Sequence, residues 1–373
     1  MSEISHKITQ YNHLLAPGQG AQDGEWGSVL FEVSNGMAAV DVYSRGTRAL
    51  RSKNRKLWDG SMSLGDLCRQ ASSDQVAPTR YTQLNLVGNT AAAIATFKSK
   101  YPDVVLHDGI GNSVGEFPIY EHAGVMSLED MVCLVDARGT YMQELAENLV
   151  INGVEAGVGA ARGLEAEEMI QIVTRVNDEN GGQEAGFQAE IAGINTESQV
   201  TVTGYITELD LVGAAIKAAG GKFSKLRIAG PVHSRLQKET ERRLEAYIGD
   251  SKAGPVIDNP KTKSMLSNRS GDFLESSSEV QPAICEHVTH TVQLWPSVQM
   301  AMGLRIGRHG QQEAINRTNA VHVFAEMGPG TTMADMYRPL EQKYPGQVYV
   351  LRFNEAMITG LDVEAIRHLR DAA

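Results

Sequence analysis

The chain of 373 residues carries a formal net charge of −11, and 42% of its residues are apolar and 21% charged. This composition is typical of a folded globular protein and excludes a disordered or fibrous chain. The acidic balance disfavours nucleic-acid binding, which needs clustered lysine and arginine. Because no apolar run approaches the roughly 20 residues that span a bilayer, and no secretory signal is evident, we expect a cytoplasmic protein with no membrane partner.

The chain has three cysteines. Cys68, Cys133 and Cys285 are widely spaced and form no C-x-x-C pair. The spacing favours neither a disulfide framework nor a zinc site, so we expect buried or incidental thiols.

The first part of the chain alternates strands and helices. Residues 8–15 predict a strand that ends in the Pro/Gly turn at 16–22, and residues 82–98 carry apolar side chains at helical intervals. The apolar run 104–106 predicts a strand, with a turn at the glycines of 109–111. A helix is expected from Ser113 to about His122, and another from Ser127, whose partner three residues on completes a capping box.

The pattern changes from about Gly153. Its segments are a helix at 165–176, a polar glycine-rich stretch at 177–186, a strand at 199–204, a helix at 209–219 and a strand at 225–228. Two strands and two helices in this arrangement predict a small α+β insert, after which the main domain resumes near residue 229. The remainder predicts a helix at 234–248, a strand at 256–257, a helix at 296–302 and a strand at 321–325.

One short motif carries chemistry. Residues 111–115 read G-N-S-V-G, a G-x-S-x-G pattern between an expected strand and an expected helix. That is the setting of a nucleophile elbow, in which the glycines permit a sharp turn and the helix start offers free N–H groups to an oxyanion. Without this setting, a plain Gly/Ser turn would be the better interpretation.

Several motifs together resemble one family. Residues 111–116 are similar to the G-H-S-L-G-E of malonyl-CoA:acyl carrier protein transacylases and of polyketide-synthase acyltransferase domains. Other resemblances follow in the same order along the chain and extend from about residue 14 to 333. They are F-P-G-Q-G-S-Q at 16–22, T-Q-P at 82–83, R-G-x-x-M-Q at 138–143, V-N-x-P-x-Q-V-V-I-S-G at 195–204, G-P-x-H-S-x-L at 230–236 and E-x-G-P-G at 326–330.

The resemblance implies an α/β fold in two parts. An α/β-hydrolase-like core with a short parallel sheet would take residues 1–152 and 229–373. A ferredoxin-like α+β subdomain would be inserted at 153–228, with the active site between the two.

The resemblance also implies roles for individual residues. Ser113 would be the nucleophile and His233 the general base, while the backbone N–H groups of Gln19 and Val114 would form the oxyanion hole. The guanidinium of Arg138 would hold the free carboxylate of malonate in a planar fork. Without the family motif, His233 would be interpreted as a structural histidine and Arg138 as a surface arginine.

The implied function is acyl transfer. A malonyl or related carboxylated acyl group would pass from coenzyme A, through an ester on Ser113, to the phosphopantetheine thiol of an acyl carrier protein in fatty acid or polyketide synthesis. Malonyl-CoA and the carrier protein would be the partners, and no metal or redox cofactor is needed. Two alternatives are an acyl-carrier-protein hydrolase of the same family and a catalytically weak interaction protein of a synthase assembly.

Several positions depart from the family pattern, and three of them bear on the site. Asn112 replaces the histidine beside the nucleophile, and His287 stands at the position of a glutamine near the catalytic histidine. If a main-chain carbonyl orients His233 there, the altered side chain costs little. Val232 differs from the residues that often mark malonyl or methylmalonyl selection, so the acyl group stays open.

A carrier-protein surface is expected to be positive. Arg235, Lys238 and Arg242 follow His233 at helical spacing and are our preferred docking residues. The basic stretch 45–56 is a second candidate, and an ordinary solvated surface is the alternative for it.

Overall fold

The strands of the protein form two separate sheets. The computed structural model describes residues 9–21, 26–33, 37–54, 58, 62–182, 186, 189–252, 254–260, 265–353 and 367, with the backbone alone for 31–33. Within these residues the strands are β1 (Gln10–Ala16), β2 (Asp108–Gly111), β3 (Ala156–Arg162), β4 (Glu190–Thr196), β5 (Gln199–Tyr205), β6 (Lys222–Lys225), β7 (Met265–Leu266), β8 (Val321–Glu326) and β9 (Val348–Arg352).

Helices pack against both sheets. In the same residues they are α1 (Trp26–Val33), α2 (Met37–Lys53), α3 (Leu64–Arg69), α4 (Ser73–Val76), α5 (Thr79–Lys100), α6 (Glu116–His122), α7 (Leu128–Ile151), α8 (Ala166–Glu179), α9 (Ile206–Ala218), α10 (Lys238–Ile248), α11 (Ser277–Glu286), α12 (Leu294–Ala301), α13 (Gly310–Thr318), α14 (Thr332–Tyr337) and α15 (Pro339–Lys343). None of the helices in the described part of the chain has the length and apolar character that crossing a membrane requires.

The first sheet has the strand order β7-β2-β1-β8-β9, and every pairing is parallel. Its central strands are almost wholly buried, as expected when helices cover both faces of a parallel sheet. Parallel strands bring their carboxyl ends to one edge, and the loops that follow β1, β2 and β8 therefore meet there. The predicted short parallel sheet is confirmed.

The second sheet is antiparallel, with the order β4-β5-β3-β6. Its chain order β3-α8-β4-β5-α9-β6 is that of a ferredoxin-like unit, as predicted. Apolar side chains of α8 and α9, among them Met169 and Ile216, are buried against one face of the sheet. All of these elements fall within 153–228, and the division of the chain into domains at those positions stays a prediction.

Two predictions concern single side chains of the helical layer. The capping box predicted at the start of α7 is half formed. The side chain of Ser127 accepts a hydrogen bond from the backbone N–H of Asp130 at 3.1 Å, while the Asp130 carboxylate accepts from the Ser127 hydroxyl at 2.9 Å instead of from its backbone N–H. Cys68, Cys133 and Cys285 are free and buried.

Strand boundaries in the insert differ from the sequence prediction. β3 and β4 were not expected, because the alanines and glycines of β3 have low strand propensity. Small residues are needed there, since a Cβ on Gly159 would lie 2.1 Å from the ring of Phe223. The strand expected at 225–228 ends at Lys225, where the chain leaves the sheet towards His233.

Three further predictions outside the insert are wrong. β2 begins at Asp108 and contains the glycines at 109–111, whereas residues 104–106 are not a strand. Residues 256–257 have no regular structure and lie beside the backbone of Val125, which accepts a hydrogen bond from the N–H of Asp258 at 2.7 Å. The helix expected from residue 234 begins at Lys238, after a 3₁₀ turn over Arg235–Gln237.

Candidate active site

Ser113 lies at a sharp turn between β2 and α6. The 3₁₀ turn Ser113–Gly115 joins these elements, and the φ angle of Ser113 is +52°, in the left-handed region. The backbone packs too closely for side chains on either flanking glycine. A Cβ on Gly111 would lie 2.3 Å from Cα of Glu116, and a Cβ on Gly115 would lie 2.2 Å from the carbonyl oxygen of Ala16. The predicted strand-turn-helix setting of the G-x-S-x-G motif is confirmed.

His233 meets this serine from a distant part of the chain. Its Nε2 lies 2.7 Å from Ser113 Oγ, and its Nδ1 lies 2.7 Å from the main-chain oxygen of His287. A carbonyl can only accept, so Nδ1 carries the proton and Nε2 is free to accept from the serine hydroxyl. A main-chain carbonyl at position 287 therefore contacts the base, which is the condition under which the altered side chain at that position costs little.

The electrostatic setting keeps His233 neutral. Burial, followed by the positive charge of Arg138, lowers the pKa of His233 to about 3. Both causes disfavour the imidazolium form. At neutral pH the ring is therefore available as a proton acceptor.

Arg138 is fully buried within α7. Its Nη1 donates to Gln83 Oε1 at 2.6 Å, and its guanidinium lies 5.7 Å from the centre of the Phe117 ring. Among the described residues, no partner accepts from its Nε or Nη2. Burial lowers the pKa of Arg138 to about 10, so the group remains charged at neutral pH. A buried cation with two unused donors is suited to an anion that the chain itself does not supply.

Ser113 and His233 line a cavity of about 450 Å³ between the two sheets. Gln19 and Asn112 lie on the same wall, whereas Arg138 is not among the lining residues. Val114 follows the nucleophile within the 3₁₀ turn and is buried. The opposite wall comes from the antiparallel sheet and its exit segment, with the residues Val158, Ala160, Arg162, Asn195, Thr201, Leu226, Arg227 and Ile228.

Two buried polar residues that contact the turn of Ser113, Asn268 and Glu116, were not predicted from the sequence. Asn268 follows the short strand β7 and contacts the nucleophile turn with both atoms of its amide group. Its main-chain N–H donates to Glu116 Oε1 at 2.8 Å. Burial raises the pKa of Glu116 to about 8. A polar pair after an apolar strand, Ser267 and Asn268, was the available signal, but β7 has only two residues.

The predicted docking residues form ion pairs. Arg242 contacts Glu239 at 2.6 Å and Lys238 contacts Glu241, while Arg235 lies before α10 in the 3₁₀ turn, 3.9 Å from the carboxylate of Glu190. The exposed positive charge of this segment is therefore smaller than the sequence indicated, and its docking role stays a prediction.

In the second basic stretch, 45–56, Arg45 pairs with Glu129 and Lys53 with Asp130, both at 2.7 Å. Residues 55–56 of that stretch lie outside the described residues.

Comparisons with known proteins agree with the motifs and the fold. No protein-family model matches the chain. The malonyl CoA-acyl carrier protein transacylase of Bacillus subtilis (strain 168) is 25% identical over 334 residues, which cover 88% of this chain and 90% of that protein.

Two solved structures share the fold. The malonyl CoA-acyl carrier protein transacylase of Coxiella burnetii superposes with a TM-score of 0.76 at 21% identity, over 98% of this chain and 100% of the other. A malonyl-transacylase solved in complex with its type II polyketide-synthase acyl carrier protein has a TM-score of 0.74 at 19% identity, over 95% and 99% of the two chains. The ordered motifs, the sequence relatives and this fold together confirm the resemblance of the chain to malonyl CoA-acyl carrier protein transacylases.

Proposed function

We propose that this protein transfers a malonyl group from coenzyme A, through an ester on Ser113, to the phosphopantetheine thiol of an acyl carrier protein. The relative from Bacillus subtilis bears the name of this activity, and the structure of a related transacylase holds its carrier protein. The proposal places the enzyme in the cytoplasm and in fatty acid or polyketide synthesis.

The first half-reaction forms the acyl-enzyme. Ser113 Oγ attacks the thioester carbonyl while His233 Nε2 takes the hydroxyl proton, and the C–S bond then breaks as that proton passes to the departing thiolate of coenzyme A. The tetrahedral oxyanion between these events would be held by the backbone N–H groups of Gln19 and Val114. Gln19 lies on the cavity wall beside Ser113, and Val114 is the next residue in the turn.

The second half-reaction reverses the roles. The carrier-protein thiol gives its proton to His233 Nε2 and attacks the ester carbonyl, and the C–O bond breaks as Ser113 Oγ recovers the proton. Both half-reactions are carried by the chain's own residues, and the proposal needs no metal or redox cofactor.

The observation that carries the choice of acyl group is the buried guanidinium of Arg138. Its Nε and Nη2 have no acceptor among the described residues, and its charge acts on His233 in the same site. A malonyl carboxylate would supply the missing acceptor, whereas a plain acyl chain would leave the charge stranded. An acyl hydrolase of the family is expected to lack this arginine.

Intact-protein mass spectrometry after mixing with malonyl-CoA tests the proposal. The wild-type protein should gain one malonyl group and lose it when holo acyl carrier protein is added, and Ser113→Ala should gain none while keeping its circular dichroism spectrum. Rapid release of free malonate would instead indicate a hydrolase. Absence of any adduct would indicate a binding role, and an adduct on Ser113→Ala would remove Ser113 from the mechanism.

A further inference from the structure

Ser113 adopts a backbone conformation that is unfavourable for any residue with a Cβ. Its φ of +52° lies in the left-handed region, and the φ of its partner His233 is +53°. Conformations of this kind persist only where surrounding contacts over-determine them. The contacts that hold Ser113 in this conformation therefore help to position its Oγ relative to Nε2 of His233.

The amide group of Asn268 makes those contacts. Its Oδ1 accepts from the backbone N–H of Ser113 at 2.7 Å, and its Nδ2 donates to the carbonyl oxygen of Gly111 at 2.6 Å. The side chain is fully buried and bridges the strand end and the nucleophile itself. Because this bond occupies the N–H of Ser113, the N–H of Val114 is the next one in the turn that an oxyanion can use.

Asn268 also contacts the segment that orients the base. The Nε2 of His287 lies 3.3 Å from Asn268 Oδ1, and the main-chain oxygen of His287 accepts from Nδ1 of His233. Since Oδ1 of an amide only accepts, Nε2 of His287 carries the proton in this contact. The histidine that departs from the family pattern at position 287 thus reaches the nucleophile turn through one side chain.

We propose that Asn268 is a positioning residue, which aligns Ser113 Oγ with Nε2 of His233 by holding the serine's turn directly and the base through His287. The inference rests on the proposed function, because alignment is measured by acylation. An amide fits both backbone contacts, since it offers one acceptor and one donor. A carboxylate in its place would face the carbonyl oxygen of Gly111 with a second acceptor.

Single-turnover acylation by malonyl-CoA, followed by rapid quench and intact mass, tests this role. Asn268→Ala and Asn268→Asp should lower the acylation rate constant at saturating malonyl-CoA by about 10- to 100-fold, because a small misplacement of reacting groups has effects of that size. The malonyl-CoA concentration for half-maximal rate should stay within about threefold, since substrate contacts are retained. Asn12→Ala is the matched control, a fully buried asparagine at the other end of the sheet.

His287 provides a second, milder test. His287→Gln keeps a donor for Asn268 and the same main-chain carbonyl, so acylation should remain near the wild-type rate. His287→Ala removes the donor together with the ring contacts to Phe117 and His233 but keeps the main-chain carbonyl, and it should give an intermediate rate. This variant keeps the test open if the Asn268 variants fail to fold.

Wild-type acylation rates in folded Asn268→Ala and Asn268→Asp would overturn the inference. The inference would also be overturned if the Asn268 variants lost no more of the acylation rate per folded molecule than Asn12→Ala does. If the Asn268 variants do not fold, an unchanged rate in His287→Ala would overturn it. Absence of an adduct in the wild-type protein would overturn the proposed function before any variant is compared.

Discussion

Two buried polar clusters lie at opposite ends of the parallel sheet, and they are built differently. Near the amino ends of the strands, the carboxylate of Asp108 binds the guanidinium of Arg317 through both oxygens and lies 3.0 Å from Nδ1 of His13. Nε2 of His13 lies 2.9 Å from Nδ1 of His322. Carboxylate and guanidinium compensate each other within this cluster. Burial raises the pKa of Asp108, but the contact with His13 and the guanidinium of Arg317 lower it to about 2.

The cluster at the carboxyl ends leaves groups unused. Ser113 and His233 hold left-handed backbone conformations, and the guanidinium of Arg138 has two donors without partners among the described residues. Strain and unpaired polar atoms cost stability, so a fold retains them where a ligand can use them. We therefore infer that the amino-end cluster stabilises the fold and that the carboxyl-end cluster serves catalysis. Substitutions in each cluster test this division.

The largest expected effect is on stability, at the amino end. Asp108→Ala removes the buried carboxylate that binds Arg317 through both oxygens and leaves Glu313 as the anionic partner of that guanidinium. It should lower the free energy of unfolding by about 3–5 kcal/mol. Urea unfolding followed by circular dichroism measures it. The acylation rate per folded molecule should not change. A fall in that rate would show that the amino-end cluster also contributes to catalysis.

Arg138→Ala should have the converse effect. Malonyl transfer should lose about 2–4 kcal/mol of transition-state stabilisation, the size expected for a buried hydrogen-bonded charge pair, while acetyl transfer should improve relative to malonyl. Arg138→Lys keeps the charge without the planar fork and should recover only part of the loss. Measuring kcat/KM for both thioesters decides the matter, because equal losses would give Arg138 a structural role.

The lowered pKa of His233 predicts an unusual pH profile. Burial and Arg138 bring it to about 3, so the base stays neutral when the pH falls below the ordinary histidine value. Acylation kcat/KM at pH 5.5 should remain within about twofold of its value at pH 7, whereas a base with a pKa of about 6.5 would lose about 90% of its neutral form. An acid limb near pH 6.5 would contradict this setting.

The same lowered pKa has a cost in stability. Below about pH 6.5 the unfolded chain binds a proton at His233 and the folded protein does not. The free energy of unfolding should therefore be highest above that pH and should decrease as the pH falls below it. Urea midpoints at pH 5.5 and 7, compared between the wild-type protein and His233→Ala, measure this contribution.

The smallest effect concerns the carrier protein. Reversing Lys238 and Arg242 to Glu should raise the KM for carrier protein a few-fold, most at low salt, and leave acylation by malonyl-CoA unchanged. The effect should be small because both cations are already paired with glutamates of α10. Arg48→Glu, at an exposed position of α2, tests the other basic stretch. A fall in both half-reactions would exclude docking as the cause.

Local sequence by itself determined much of the molecule. The glycines around Ser113 predicted its turn, because only residues without a side chain allow the backbone of α6 and of the loop after β1 to pass so closely. Apolar periodicity predicted about half of the helices in the described residues, among them α5, α8 and α9, and the cap at Ser127 predicted the start of α7. The motif order, taken with the family resemblance, also singled out Ser113, His233 and Arg138 as candidates.

Tertiary structure decided the remainder. β3 has too little strand propensity to be recognised locally, and it is a strand because β5 and β6 pair with it on both sides. The contact of His233 with Ser113 spans 120 residues of chain, and that of Asn268 with the same serine spans 155. Arg138 and His233 are buried by elements that come from distant segments of the chain. The neutral state of His233 follows from that burial. Such contacts and dielectric effects arise only when the whole chain is packed, so no local pattern encodes them.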